Sequence, residues 1–216
     1  MIITVFSAKG GVGKTPISTN IAFDLGYVIG TNDEYHGFGV VERIDDDRLL
    51  VVAPGEEFPP VPNDVDVVFD LGGTLSGESA PSIRSAIKQS DLVLVPVSNE
   101  TKAIISGINS IQQVREITEN IVVVATKLKR ASNENAAHPW SESRDFQNIK
   151  TQIEAGTGRS WSFLPLRFSA GFDALFDQEK SLRELVGEGG MHAHHFAMPA
   201  HQFEEIYETI KRYEKS

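Results

Sequence analysis

Cysteine is absent from the 216 residues, which removes disulfides, thiol catalysis, cysteine-held zinc and protein-held iron–sulfur clusters together. No haem or iron–sulfur cofactor is expected. Long apolar runs are absent too, and Met1 to Phe6 lead straight into a glycine-rich loop without a basic leader or a cleavage site. Neither export nor a membrane partner is expected, and the expected setting is cytoplasmic. Basic charge is in short supply: 20 Lys and Arg face 30 Asp and Glu, for a net charge of −10. A surface that is basic all over, as in a nucleic-acid clamp, is excluded. The deficit is uneven, however, with six basic against fifteen acidic residues in 1–100 and fourteen against fifteen in 101–216. Any basic face must therefore come from the second half, where Lys127, Lys129 and Arg130 form the one tight cluster. What is present, 40% hydrophobic and 23% charged residues, is ordinary globular composition. At ~150 residues per domain the length favours one domain over residues 1–216.

Strand and helix patterns alternate along the chain. Short β-branched or apolar runs at Ile2 to Ser7, Tyr27 to Ile29, Leu49 to Val52, Val65 to Leu71, Leu92 to Val97, Ile121 to Thr126 and Trp161 to Phe168 read as strands. Helical spacing appears from Thr15 to Leu25, around Ile83 to Ile87, and over Thr101 to Glu116, Asp145 to Glu154, Ala174 to Val186 and Gln202 to Tyr213. A Pro-rich connection (Pro54, Pro59, Pro60, Pro62) joins the third and fourth strands. Residues 131–143 and 187–199 read as loops, weakly ordered ones. The alternation predicts an α/β fold, a single domain with a mainly parallel, doubly wound sheet flanked by helices.

The richest stretch is Lys9-Gly10-Gly11-Val12-Gly13-Lys14-Thr15, set between the first strand and the first helix, within a loop over 8–15. Glycines let successive N–H groups converge on phosphate oxygens, and the helix that follows presents its positive end. Lys14 is placed to reach the β- and γ-phosphates, and Thr15 to ligate Mg²⁺ through its hydroxyl. A nucleoside triphosphate is the implied ligand. The general phosphate-loop pattern asks for glycine at position 8, whereas this chain has Ala8 and carries a second lysine, Lys9, inside the loop.

In those residues the sequence resembles the ParA/MinD family of ATPases, whose deviant Walker A motif Lys-Gly-Gly-x-Gly-Lys-Ser/Thr is matched at every position from Lys9 to Thr15. The resemblance implies a P-loop NTPase fold, ATP and Mg²⁺ as cofactors, and Lys9 as a signature lysine that reaches the partner's nucleotide across an ATP-bound homodimer. It extends to Val67-Val68-Phe69-Asp70-Leu71-Gly72-Gly73, which resembles the family's Walker B: Asp70 is expected to hold Mg²⁺, with Gly72 and Gly73 approaching the γ-phosphate. It reaches residue 126, where Thr126 and Lys127 stand where relatives contact the base. The nucleotide-binding set expected from it is thus Lys9, Gly10, Gly11, Val12, Gly13, Lys14, Thr15, Pro16, Gly72, Gly73, Thr126 and Lys127, with Thr15 and Asp70 on the metal and Lys9 and Lys14 in catalysis.

Two departures stand out. Where relatives carry Asp-x-Asp-Pro, this chain reads Gly30-Thr31-Asn32-Asp33-Glu34, so Asn32, or Asp33 by a one-residue shift, is the expected water-positioning residue. Because an amide orients water but accepts no proton from it, hydrolysis is expected to be slow. Pro16 has no N–H to offer the α-phosphate. His192, His194, His195 and His201 are read as exposed rather than as a metal site, and Trp140, Trp161 and Phe168 as anchors rather than stacking platforms.

The resemblance points to a small ParA-type ATPase, an ATP-dependent dimerisation switch for plasmid or chromosome partition. It implies a ParB-like adaptor that stimulates hydrolysis, nonspecific DNA bound through Lys127, Lys129 and Arg130, and association with the nucleoid. Since the phosphate loop begins at Lys9, the N-terminal DNA-reading domain of longer relatives is not expected. The alternatives are an ATP-dependent ligase or synthase of the same fold acting on a small carboxylic acid, and a nucleotide-binding interaction module that hydrolyses poorly.

Overall fold

A computed structural model of the chain describes residues 1–33, 37–53, 55–130, 132–135, 138–167, 169 and 172–214. Glu34, Pro54, Ala131 and Phe168, each part of a sequence expectation above, lie outside them. The order is β1 (Ile2–Phe6), α1 (Lys14–Leu25), β2 (Val28–Thr31), β3 (Leu49–Val51), β4 (Val67–Leu71), α2 (Ala80–Gln89), β5 (Leu92–Ser98), α3 (Thr101–Arg115), β6 (Ile121–Leu128), α4 (Arg144–Thr157), β7 (Ser162–Arg167), α5 (Ala174–Asp177), α6 (Leu182–Gly187) and α7 (Gly190–Glu214). The seven strands form one sheet in the order β3-β2-β4-β1-β5-β6-β7, and every pairing is parallel.

Alternate residues of each central strand feed opposite faces. Ile3 and Val5, Val68, Leu92 and Leu94, and Val122 and Val124 join one apolar cluster with residues of α1, α6 and α7. Their neighbours Phe6, Phe69, Val93 and Val95, and Val123 join the other, with residues of α2, α3 and α4. All of β4 and β5 is buried. Strands covered on both faces read as continuous apolar runs, which is why these two were so visible in the sequence.

Helix α1 starts directly behind the glycine loop and stops at Gly26, whose φ of 75° ends the helix while its N–H bonds the Ala22 carbonyl at 3.0 Å. Pro16 sits in the first turn, where no intrahelical N–H is required.

Two expectations need correction. The stretch 187–199 is not a loop: most of it belongs to α7, which runs from Gly190 to Glu214 with Pro199 inside. Packing overrides the local breakers, because the buried stripe of Phe203, Tyr207 and Ile210 continues back through Ala200 to Phe196 at helical spacing. The helix expected over Ala174 to Val186 is two helices, α5 and α6, interrupted before Ser181. There Ser181 accepts from Glu184 N–H while the Glu184 carboxylate accepts from Ser181 N–H, a reciprocal cap that starts a new helix. The strand read as Tyr27 to Ile29 runs on to Thr31, which puts Asn32 and Asp33 at its C-terminal end. The stretch 131–143 is irregular in its described residues, with one 3-10 turn at Trp140–Glu142. No helix among the described residues is long and apolar enough to cross a membrane.

Candidate nucleotide site

Connections leave β1 toward β2 on one side and β4 toward β5 on the other, so the order reverses beside β1. In an open parallel sheet the crevice outside the strand ends at such a point is where ligands bind. The phosphate loop occupies that place. Gly11 and Gly13 have φ of 71° and 96°, a region that residues with a Cβ enter only at a cost.

The loop is tied down by its neighbours. Ala8 N–H donates to Ser110 Oγ of α3 at 3.2 Å, and the buried Thr126 hydroxyl donates to the Val12 carbonyl at 2.7 Å. Lys14 Nζ lies 3.4 Å from the Lys9 carbonyl, across the loop it belongs to. Burial pushes its pKa down, and the nearby Lys9 charge adds to that, against the opposing pull of Asp70 and Asp33. A partly desolvated ammonium in this position gains strongly from phosphate oxygens. Lys9, by contrast, donates only to the neighbouring Gly10 carbonyl, at 3.1 Å, and has no ion pair among the described residues.

Thr15 and Asp70 come together as expected, with the Thr15 hydroxyl 2.8 Å from Asp70 Oδ2. Asp70 is buried, and its other oxygen, Oδ1, has no hydrogen-bond partner among the described residues. Burial raises its pKa, opposed by the Thr15 hydrogen bond and the Lys14 charge. An unpaired buried carboxylate oxygen beside a hydroxyl is a donor set that suits a hard divalent cation, so these residues fit Mg²⁺.

Asn32 takes an unexpected place. Its Oδ1 accepts from Gly72 N–H at 2.8 Å, and its Nδ2 donates to the Gly72 carbonyl at 3.0 Å and to Ser82 Oγ at 2.8 Å. Both amide hydrogens are used, and the side chain is buried. Asp33 is exposed, and its charge acts on both Lys14 and Asp70.

A cleft of about 350 Å³ continues from the loop toward β6 and β7. Its phosphate end is Gly13, Lys14, Thr15 and Pro16. Its far end is built from Thr126 and Lys127 together with Leu166, Ser169, Phe172 and Asp173. The last four escaped the sequence reading. The signal for them was positional, since they lie at and just beyond the C-terminal end of the final strand. Thr126 lines the cleft, but its hydroxyl proton is spent on Val12. Lys127 has φ of 54° at an irregularity in the β6–β7 pairing. That uncommon backbone breaks the ladder where Lys127 joins the cleft.

The three residues of the basic cluster part company. Lys127 lines the nucleotide cleft, while the Lys129 N–H is held by Asp145 at 3.0 Å. Arg130 lies over the Trp140 ring at 4.4 Å, donates to the Asn135 and His138 carbonyls, and lines a different cleft. Trp161 carries Arg159 in the same way. His194, His195 and His201 sit at exposed positions of α7; the His192 side chain lies outside the described residues. Among the described residues no three His, Asp or Glu side chains are grouped to hold a metal ion.

No protein-family model matches the sequence, and no curated protein is similar to it. Solved structures match over nearly the whole chain. An ATP complex of McdA from Cyanothece superposes with a TM-score of 0.61 at 12% identity, covering 97% of this chain and 96% of that one. MinD from Pyrococcus horikoshii, with Mg-ADP, gives 0.64 at 11%, covering 95% and 96%. The fold is that of the ParA/MinD-type P-loop ATPases. A Borrelia burgdorferi protein described as a plasmid partition protein, bound to AMPPNP, shares this ParA/MinD-type fold with a TM-score of 0.57 at 14%, covering 96% and 98%.

Proposed function

We propose that this chain is a ParA-like ATPase that binds Mg-ATP in the cleft behind its phosphate loop and uses it as a dimerisation switch. The observation that carries this reading is the loop itself: a deviant Walker A motif with two lysines in different situations. Lys14 turns inward, half-desolvated, across from Asp70 and Asp33. Lys9 stays on the rim with only a backbone carbonyl to hold. A cation kept at the rim suits a phosphate that arrives from another protomer, and a second positive charge near the β/γ bridge stabilises the charge that develops in phosphoryl transfer.

In this reading Gly11, Gly13 and the α1 N-terminus hold the phosphates, Lys14 neutralises the β- and γ-oxygens, and Thr15 with Asp70 would hold Mg²⁺. When bound, the metal offsets charge on the same oxygens. Pro16 contributes no N–H to the α-phosphate. The base lies toward Thr126, Lys127 and Asp173. Asp33 is the acid best placed to orient the attacking water, since Asn32 is engaged elsewhere. ATP-bound dimers bind DNA nonspecifically, with Lys129 and Arg130 part of a basic surface that dimerisation doubles. A ParB-like adaptor releases the dimer by stimulating hydrolysis during plasmid or chromosome partition, and the nucleoid is the site of action.

Sedimentation with no nucleotide, with ADP, and with a nonhydrolysable ATP analogue plus Mg²⁺, each with and without duplex DNA, tests the switch. A dimer formed only with the analogue, and alone able to carry DNA, is the expected result. A monomer indifferent to nucleotide sinks the proposal. One observation favours a second reading, an interaction module with poor hydrolysis: the amide at position 32 is fully occupied by Gly72 and Ser82. Fast single-turnover hydrolysis in the presence of DNA counts against it.

A further inference from the structure

Gly72 follows strand β4, and both its N–H and its carbonyl are held by one side chain. Asn32 Oδ1 takes the Gly72 N–H while Asn32 Nδ2 gives to the Gly72 carbonyl. An amide presents an acceptor oxygen and a donor nitrogen side by side and so can hold the N–H and the carbonyl of one residue together, whereas a carboxylate would turn an oxygen toward the carbonyl. The grip extends into α2, because Asn32 Nδ2 also donates to Ser82 Oγ, which in turn donates to the Ser79 carbonyl at 2.9 Å. Gly73 completes the arrangement: at φ 92° it packs so closely that a Cβ there would lie 2.3 Å from Ser79 Oγ. The end of β2, the Gly72-Gly73 turn and the first turns of α2 are thus joined through one buried amide.

A backbone N–H has a single hydrogen to donate. While Asn32 holds it, Gly72 cannot give it to a phosphate. We propose that Asn32 is a positioning residue, a latch on Gly72 that competes with the terminal phosphate of the nucleotide for the Gly72 N–H, and not the residue that orients the attacking water. The inference rests on the nucleotide reading above and goes beyond it. ADP lacks the competing phosphate, so the latch lowers affinity for the triphosphate alone. Nucleotide exchange at the phosphate loop is thereby passed to α2 through Ser82.

The test compares Asn32→Ala and Ser82→Ala with the unaltered protein. Affinities for AMPPNP and ADP with Mg²⁺ are measured by calorimetry, and hydrogen exchange is followed over residues 67–78 without nucleotide. A net hydrogen bond removed from the competing state corresponds to roughly a three- to tenfold rise in the AMPPNP-to-ADP affinity ratio for Asn32→Ala. Faster exchange at Gly72 is expected with it, and Ser82→Ala should move both readouts the same way by less. If Asn32→Ala does not fold, Ser82→Ala carries the test. An unchanged affinity ratio combined with slower single-turnover hydrolysis overturns the latch and gives Asn32 the water. Failure of the unaltered protein to bind either nucleotide brings down the nucleotide reading and the latch with it, a result distinct from binding both with an unchanged ratio.

Discussion

The two ends of the cleft are built by opposite means. At the phosphate-loop end the lining comes from one short segment, Gly11 and Gly13 to Pro16, and one acid from an adjacent strand, Asp70, is bonded to it through Thr15. At the far end the lining comes from β6, the last residues of β7 and the segment before α5, and no two of Leu166, Phe172 and Lys127 belong to one motif. In the proposed reading the phosphate end recognises by backbone geometry and charge, which any nucleotide satisfies. In the same reading discrimination among bases has to come from the far end, where side chains line the cleft. Substitutions at the two ends should therefore fail in different ways.

The largest effect is expected from Lys14→Ala. Charge-assisted hydrogen bonds to a buried ammonium are worth about 1.5 to 3 kcal/mol, so affinity should fall about 10- to 100-fold. The loss should be similar for ATP, GTP and ADP, as titration of each in turn will show. A loss confined to one base would break the division between the ends.

Asp70→Asn sharpens the phosphate end from another side. An ionised carboxylate with a buried, unpartnered oxygen works against the fold, and a neutral amide removes that burden. Thermal unfolding without nucleotide should shift upward by the equivalent of about 1 kcal/mol, within the range seen when a functional site is traded for stability. At this chain length that corresponds to roughly 2 to 4 °C. The same variant should lose any dependence of nucleotide affinity on Mg²⁺. A destabilised variant that keeps the Mg²⁺ dependence would remove Asp70 from the metal site.

The same asymmetry explains what the sequence could reveal. The closeness of Thr15 to Asp70 was legible because a phosphate-loop pattern sets glycines, a lysine and a hydroxyl at fixed spacing, and because an acid at the end of an apolar strand is conspicuous. The parallel sheet was legible because β4 and β5 are buried on both faces. Asn32 was found by its position but not by its partners: the Gly72 grip joins residues 40 apart, and no local pattern announces it. The helical character of 190–199 was hidden by glycine, histidine and proline, whose propensities lose to the burial of Phe196 and Ala200 on the sheet. Asp173 was invisible for the same reason as Phe172, since neither lies in a motif and both depend on where the chain goes after β7.

Asp173 is the residue with which to probe the far end. Its carboxylate accepts hydrogen bonds and donates none when ionised, which suits the exocyclic amino group of a base and not a carbonyl. It lines the cleft with Ser169 and Phe172. Asp173→Ala should therefore reduce the preference of the site for its cognate base about three- to tenfold, the equivalent of one hydrogen bond, while inorganic triphosphate binds as before. Competition among ATP, GTP and inorganic triphosphate for the same site measures this directly. Equal weakening of all three would place Asp173 in the general electrostatics of the cleft, and base selection would then fall to Lys127 at the same end.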